Sequence, residues 1–484
     1  MPLENTRKFK VSPCVCAILA ALIAGSLSIG TVEFAGAQTA PTAAGPTAQS
    51  FQGSVPEGTA SGQVMDLTLD DAIQRGLRTN LGVILSGTQT VSAKGQRLSQ
   101  LQNLLPAVDA SFKENYEQVD LAAEGIRFPG FPTVIGPYGF VDLRASLTWS
   151  LVDVKSLRNY IASKHSFAAA QLSADDAKQM VILTVGNAYL LVVADETEVA
   201  SVQAQVTTSK VSLDQAVANH EAGTAPKIDE LRARVDYQTL EQQLISAQNS
   251  LEKDRLALAR TIGLPLEQKF NVADRAPYAA FDEIDLDAAL KQAHVDRKDL
   301  AAMVEQTKAA ELQRKAATAE RFPTLTVNAD YGDIGVNFGS SHGTVDATGN
   351  FSVPVFKEFG IRGDQQQAQS TLDTAKAQLS DKNAQVDADV RDALLDIQSA
   401  QKQVEVAKSN VDLATEALSE AQQRYKAGVS DNLPVSQAEQ SVAQANDQYV
   451  SSLYRHNVAK LSLARSLGAA GQYKNYLDGK QGGK

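Results

Sequence analysis

The sequence predicts a mixed α and β fold, internally duplicated, with four strands per chain and helices too long for a compact domain. Three observations carry that expectation: an ordered set of motifs that occurs twice, apolar heptads that run without interruption, and two stretches of strict period-two alternation. The chain has 484 residues, 43% hydrophobic and 21% charged, inside the range of folded proteins. A net charge of −11 argues against a general nucleic-acid binder, which needs a basic footprint. Two cysteines make neither a disulfide framework nor a four-thiolate metal site. His165, His220, His294, His342 and His456 are too scattered for a helix-borne metal pair, and no Walker loop is present. No cofactor, metal site or enzymatic activity is expected.

The first elements concern export. Arg7, Lys8 and Lys10 precede an apolar run from Val15 to Ile29, and Ala35-Gly36-Ala37 supplies a small-residue cleavage site. That order is a secretory signal peptide, residues 1–37, and it contains both Cys14 and Cys16. Residues 38–63, rich in Ala, Thr, Gly, Pro and Gln, read as a flexible leader. Beyond it no uncharged stretch reaches the ~18 residues of a spanning helix. The best, Gln179–Ala194, is expected to be a buried bundle helix.

The duplication divides the rest into a first repeat at 64–268, a second at 269–468 and a tail at 469–484. Leu69-Asp70-Asp71-Ala72-Ile73 resembles Leu286-Asp287-Ala288-Ala289-Leu290, and Pro106 matches Pro323 at the same displacement. Glu221-Ala222-Gly223-Thr224 matches Lys426-Ala427-Gly428-Val429, and Leu258–Gly263 matches Leu463–Gly468. Each copy reads helix, strand, loop, strand, very long helix, tight turn, helix. Val390, Ile397, Val404, Val411, Leu418 and Tyr425 recur every seven residues, with Ala393 to Ala421 at the complementary seam positions. Such a seam packs as a coiled coil, and alanine lets neighbouring helices approach closely. A helix from about 358 to 425 is about 100 Å long at 1.5 Å per residue. Gly223 and Gly428 mark the turns into returning helices, and Pro226 and Pro434 fall in first turns, where proline is tolerated.

Strands are expected near 107–118, 140–152, 325–335 and 345–355. In the second, Val141, Leu143, Ala145, Leu147, Trp149 and Leu151 face one way, and Asp142, Arg144, Ser146, Thr148 and Ser150 the other. In the fourth, Val345, Ala347, Phe351, Val353 and Val355 alternate with Asp346, Thr348, Asn350 and Ser352. This is the length and pattern of a tilted membrane strand, with Val141, Leu143, Leu147, Trp149, Leu151, Phe351 and Val353 toward lipid. Phe128, Phe131, Tyr138 and Phe140 in the loop at 120–139 suit an interfacial girdle. Lipid tolerates no open sheet edge, and closure needs about eight strands or more, so copies must associate. Three copies would supply twelve strands.

With these elements the sequence resembles the TolC family of outer-membrane efflux proteins. The resemblance spans residues 64–468 and includes Ala222-Gly223-Thr224…Asp229 and Tyr425…Gly428. It implies a homotrimer with a twelve-stranded outer-membrane β-barrel, continuous with a periplasmic α-helical coiled-coil barrel. An equatorial belt would come from helices near 67–104 and 284–320. The implied function is the passive export duct of a tripartite efflux or type I secretion system, opened by a periplasmic adaptor and an inner-membrane pump. Tyr425 and Asp229 fall where the family places a tyrosine–aspartate gate link. Ser430 stands where a gating arginine is expected, and Pro434 and Gln437 occupy acidic-ring positions. The competing reading is a secreted or periplasmic coiled-coil scaffold or adaptor without a pore. The acid surplus is expected to face water and the channel, and the cargo is not written in the sequence.

Overall fold

The computed structural model describes residues 47–479, apart from 124, 126–128, 131, 275–277 and 283. The signal peptide, its cleavage site, Phe128 and Phe131 therefore lie outside the described residues. In chain order the elements are β1 (Met65–Leu67), α1 (Leu69–Thr79), α2 (Leu81–Gln102), β2 (Ala107–Asp120), β3 (Val134–Val152), α3 (Val154–Glu221) and α4 (Lys227–Thr261). They continue with β4 (Phe270–Val272), α5 (Leu286–Asp296), α6 (Lys298–Ala319), β5 (Thr324–Gly335), β6 (His342–Ser352), α7 (Glu358–Lys426), α8 (Leu433–Ser466) and α9 (Tyr473–Leu477).

The long helices α3 and α7 have 68 and 69 residues, and each returns through a hairpin as α4 or α8. Both turns close in the same way. Gly223 and Gly428 adopt φ of +73° and +70°, a region that costs glycine nothing. The Thr224 N–H then reaches Asn219 O at 2.9 Å, and the Val429 N–H reaches Arg424 O at 3.1 Å. These bonds satisfy carbonyls that a helix end leaves free.

The core lies midway along the long helices. Val181, Val185, Tyr189 and Val192 of α3 pack with Ile73, Leu258, Phe270 and Leu461. A neighbouring cluster joins Val386, Val390 and Ile397 of α7 to Leu300, Leu463, Leu467 and Tyr476. Among the described helices α3 alone is long and apolar enough to cross a membrane, and 44% of its most apolar 18-residue window is buried inside the chain. A short parallel pair, β1 with β4, ties the start of one half to the start of the other.

Several boundaries differ from expectation. Each equatorial helix is split, at Asn80 and at Arg297, where ψ is 132° and 121°. Asn80 is fully buried; its side-chain oxygen accepts from the Gly82 N–H, and its Nδ2 donates to Phe51 O at 2.7 Å. That local capping outcompetes one continuous helix. The expected flexible leader is structured over its last part: residues 48–52 form a 3-10 turn, and the Phe51 ring fills the space beside Gly82. The tail is docked as well, with Tyr473 and Tyr476 buried.

In the sheet β3 begins at Val134, not near 140, because it pairs with β2 as far as Asp120↔Val134. Pro137 sits at the register irregularity between Glu117 and Val119, where no ladder N–H is demanded of it. β6 ends at Ser352, so Val353 and Val355 lie beyond the strand. Pro354 lacks an N–H and restricts the residue before it, which stops the ladder there.

Candidate duct wall and hairpin tips

The four-stranded sheet runs β2-β3-β5-β6, antiparallel throughout. Its register gathers apolar side chains on one face, with Glu114 opposite Val141 and Asp333 opposite Leu143 as charged exceptions toward the outer hairpin ends. Phe112 stands opposite Leu143, and Val108 opposite Leu147. Leu147 stands opposite Ala329, Trp149 opposite Val327, Tyr331 opposite Val345, and Leu325 opposite Phe351. This face is not packed on the rest of the chain: Leu143 is 52% exposed, Phe351 65% and Val345 78%. Trp149 and Leu151 are also exposed, and Leu147 is half covered. Val141 is buried within the chain, and Val353 is exposed beyond the strand end. Toward the outer hairpin end Tyr138 and Phe140 fall in step with Asp142 and Arg144, so they lie on the other face and not in the expected lipid-side girdle; their rings stack at 6.4 Å, and the Tyr138 hydroxyl donates to Glu117 at 2.7 Å. An apolar face of this extent beside unpaired edges on β2 and β6 is not a water-facing surface.

The opposite face is polar. Arg144 of β3 pairs with Asp330 of β5 and lies 3.3 Å from Asp142, and its Nη2 donates to Thr344 of β6 at 3.4 Å. One guanidinium thus joins three strands.

At the hairpin tips the side chains at Tyr425 and Asp229 are engaged separately. Asn219 Nδ2 donates to the Tyr425 hydroxyl at 3.4 Å, linking the ends of α3 and α7. Asp229 is 4% exposed in the first turn of α4, with Arg232 at 3.6 Å. Among the described residues no bond joins Tyr425 to Asp229 within one chain. Two further tethers cross between hairpins: Ser212 donates to Glu439 at 2.6 Å, and Ser436 donates to Asp236. Burial holds the Glu439 carboxyl above its ordinary value, with the Asp236 charge adding to the effect.

Two carboxylates of α7 pair with basic side chains of the equatorial helices while staying partly exposed. Asp387 meets His294 at 2.8 Å, and Asp389 meets the buried Arg297 at 2.8 Å. Burial alone would raise Asp299, but the hydrogen bond and charge of Arg297 hold it well below the usual carboxylate range. Sequence reasoning did not single out Asp330, Asn219, Glu439 or Arg297 as functional residues. The polar alternation around Arg144 was a visible signal; its partners were not, because they depend on β3 lying beside β5.

A four-stranded sheet with one apolar face, carried on two hairpins of about 100 Å, is the protomer plan of a TolC-like channel. Known proteins agree with it. Residues 89–264 and 289–469 match the family model described as outer membrane efflux protein. The pyoverdine export outer membrane protein OpmQ of Pseudomonas putida is 23% identical over 313 residues, 63% of this chain and 66% of that protein. The probable efflux pump outer membrane protein TtgC of the same species is 21% identical over 83% of each chain. Among solved structures, the Campylobacter jejuni CmeC outer membrane channel superposes with a TM-score of 0.74 at 17% identity, over 90% of this chain and 96% of that one. The open Neisseria gonorrhoeae MtrE channel gives 0.72 at 19% identity, over 88% and 95%. The chain belongs to the outer membrane efflux protein family.

Proposed function

We propose that the chain is one protomer of a homotrimeric export duct in the outer membrane, working with a periplasmic adaptor and an inner-membrane pump. Four strands from each of three copies would close a twelve-stranded barrel, apolar face to lipid and polar face to the lumen. The observation that carries this reading is the apolar face, continuous in register across all four strands and ending at two open edges. The helices add support. Seam positions Val390 to Ala407 are buried, whereas Val411, Ala414 and Leu418 are half exposed and Leu413 is 62% exposed, leaving surface for neighbouring copies. The paired element lengths, 11 and 11, 22 and 22, 68 and 69, 35 and 34, support an internal duplication. Because relatives are named for pyoverdine export and for antibiotic and toluene efflux, small organic molecules are the cargo class we favour. Export by a signal peptide cleaved near Ala37 belongs to the same reading.

The tip is the proposed gate, with Tyr425 held at one hairpin and Asp229 buried at the other. The test is conductance of the purified full-length trimer in planar bilayers. Native chain should give small, stable steps, and Tyr425→Phe should enlarge them severalfold by freeing the α3 and α7 ends; unchanged steps would remove Tyr425 from the gate. A soluble periplasmic monomer that forms no steps would overturn the duct and restore the scaffold reading.

A further inference from the structure

The sheet register concentrates charge on the polar face in three adjacent rungs. One rung runs Asp109, Ser146, Asp330, Asp346 across all four strands. The next runs Ser111, Arg144, Gly332, Thr344, and the third runs Lys113, Asp142, Ile334, His342, the histidine counted as neutral. Toward the helices the following rung, Ala107, Thr148, Asn328, Thr348, carries no charge. The belt therefore holds four carboxylates (Asp109, Asp142, Asp330, Asp346) against two cations (Lys113, Arg144), a net charge of −2 per chain. Asp330 and Asp346 are directly opposite each other, a like-charge pair that costs stability unless compensated. Arg144 compensates it: the guanidinium leaves its own rung to pair with Asp330 while touching Asp142 and Thr344.

We propose that Arg144 is a specificity-determining residue of the duct, set into a carboxylate belt in the barrel wall and moderating that belt's preference for cations. This rests on the barrel reading above. With three copies the belt carries −6, and a charged wall backed by lipid focuses its field into the lumen. At 0.1 M salt the screening length is about 10 Å, so charges on the wall act well into the water that fills it. The guanidinium does two jobs at once: it holds β3, β5 and β6 in register and sets how far the belt departs from neutrality.

The test is the reversal potential of the full-length trimer in planar bilayers under a KCl gradient around 0.1 M. Native channels should favour potassium over chloride. Arg144→Gln takes the belt from −2 to −3 per chain and should raise the permeability ratio roughly twofold or more, an effect that shrinks in 1 M salt. Arg144→Lys keeps the charge and should keep the native ratio. Asp346→Asn takes the belt to −1 and should lower the ratio by a similar factor. Asp346→Asn protects the test if Arg144→Gln fails to assemble, since among the described residues Asp346 accepts a local bond from the Thr348 hydroxyl at 2.9 Å and no bond from another strand. Conducting channels whose ratio is native in both Arg144→Gln and Asp346→Asn would overturn the proposal and leave the barrel standing. A native chain that inserts no channels would overturn the barrel reading and this proposal with it.

Discussion

His456 shows how the core near the tail depends on protonation at a single residue. It is fully buried, neither ring nitrogen has a hydrogen-bond partner among the described residues, and the Tyr278 ring lies 5.3 Å away. One turn later Lys460, also fully buried, donates to Ala279 O at 2.6 Å and to Leu477 O at 2.9 Å, pinning the docked tail to α8. Burial, with the Lys460 charge adding to it, pushes His456 down to about 4, and burial pushes Lys460 down to about 8. Because the folded value of His456 lies below its ordinary 6.5, the unfolded chain takes up a proton first as pH falls. Stability is complete above about 6.5 and is lost as pH falls toward 4. His456→Leu should therefore flatten the loss of thermal stability between pH 7 and pH 5. At pH 7 it should leave stability unchanged or raise it by about 1 kcal/mol, since an unsatisfied polar group leaves the core. Thermal unfolding of the solubilised protein at both pH values measures this. An acid loss as large as the native one would show that His456 does not titrate in that window.

At the scale of elements, the trunk of the hairpins carries carboxyl groups where three helices meet. Asp195 and Glu198 of α3 face Asp254 of α4 and Asp447 of α8, with Tyr454 of α8 beside the first pair. Arg255, the nearby cation, is already engaged by Glu196 and Glu252, each at 2.8 Å. Burial first, then the facing acids, pushes both Asp195 and Glu198 up to about 7. A raised folded value means the folded trunk holds protons that the unfolded chain releases. The resulting stability is complete below the ordinary carboxylate range and is lost as pH rises through about 7. Asp195→Asn combined with Glu198→Gln should make hairpin stability insensitive to pH between 6 and 8, and higher than native at pH 8. Hydrogen exchange of the α3 and α8 amides at the two pH values reads this directly; native-like pH dependence in the double variant would exclude these pairs as its source. The heptads, hairpin glycines and strand alternation were legible in the sequence because each is a local period. These acid pairs were not, because the sequence does not say which face of α3 meets α4 and which meets α8. The splits at Asn80 and Arg297 escaped for a related reason: buried side chains reaching Phe51 and Asp389 stabilise breaks that periodicity runs straight across.

For the whole molecule, the decisive question is which face of the sheet meets lipid, since the barrel, the polar lumen and the charge belt all follow from that choice. Leu147 and Ser146 are neighbours on β3 and point to opposite faces. Leu147 is aligned with Val108 and Ala329, whereas Ser146 lies between Asp109 and Asp330. An arginine on the lipid side of a barrel near the bilayer midplane costs about 2–4 kcal/mol per chain. In a trimer that penalty applies three times. Leu147→Arg should therefore abolish the heat-modifiable trimer in the outer-membrane fraction, with the chain degraded or left in the periplasm. Ser146→Arg introduces the same bulky cation one residue away, among carboxylates and lumenal water, and should assemble at near-native levels. Comparing unheated and heated samples on denaturing gels, after membrane fractionation, separates the outcomes. Loss of trimer in Ser146→Arg with retention in Leu147→Arg would invert the faces, turning the apolar rows inward and removing the charged belt from the duct.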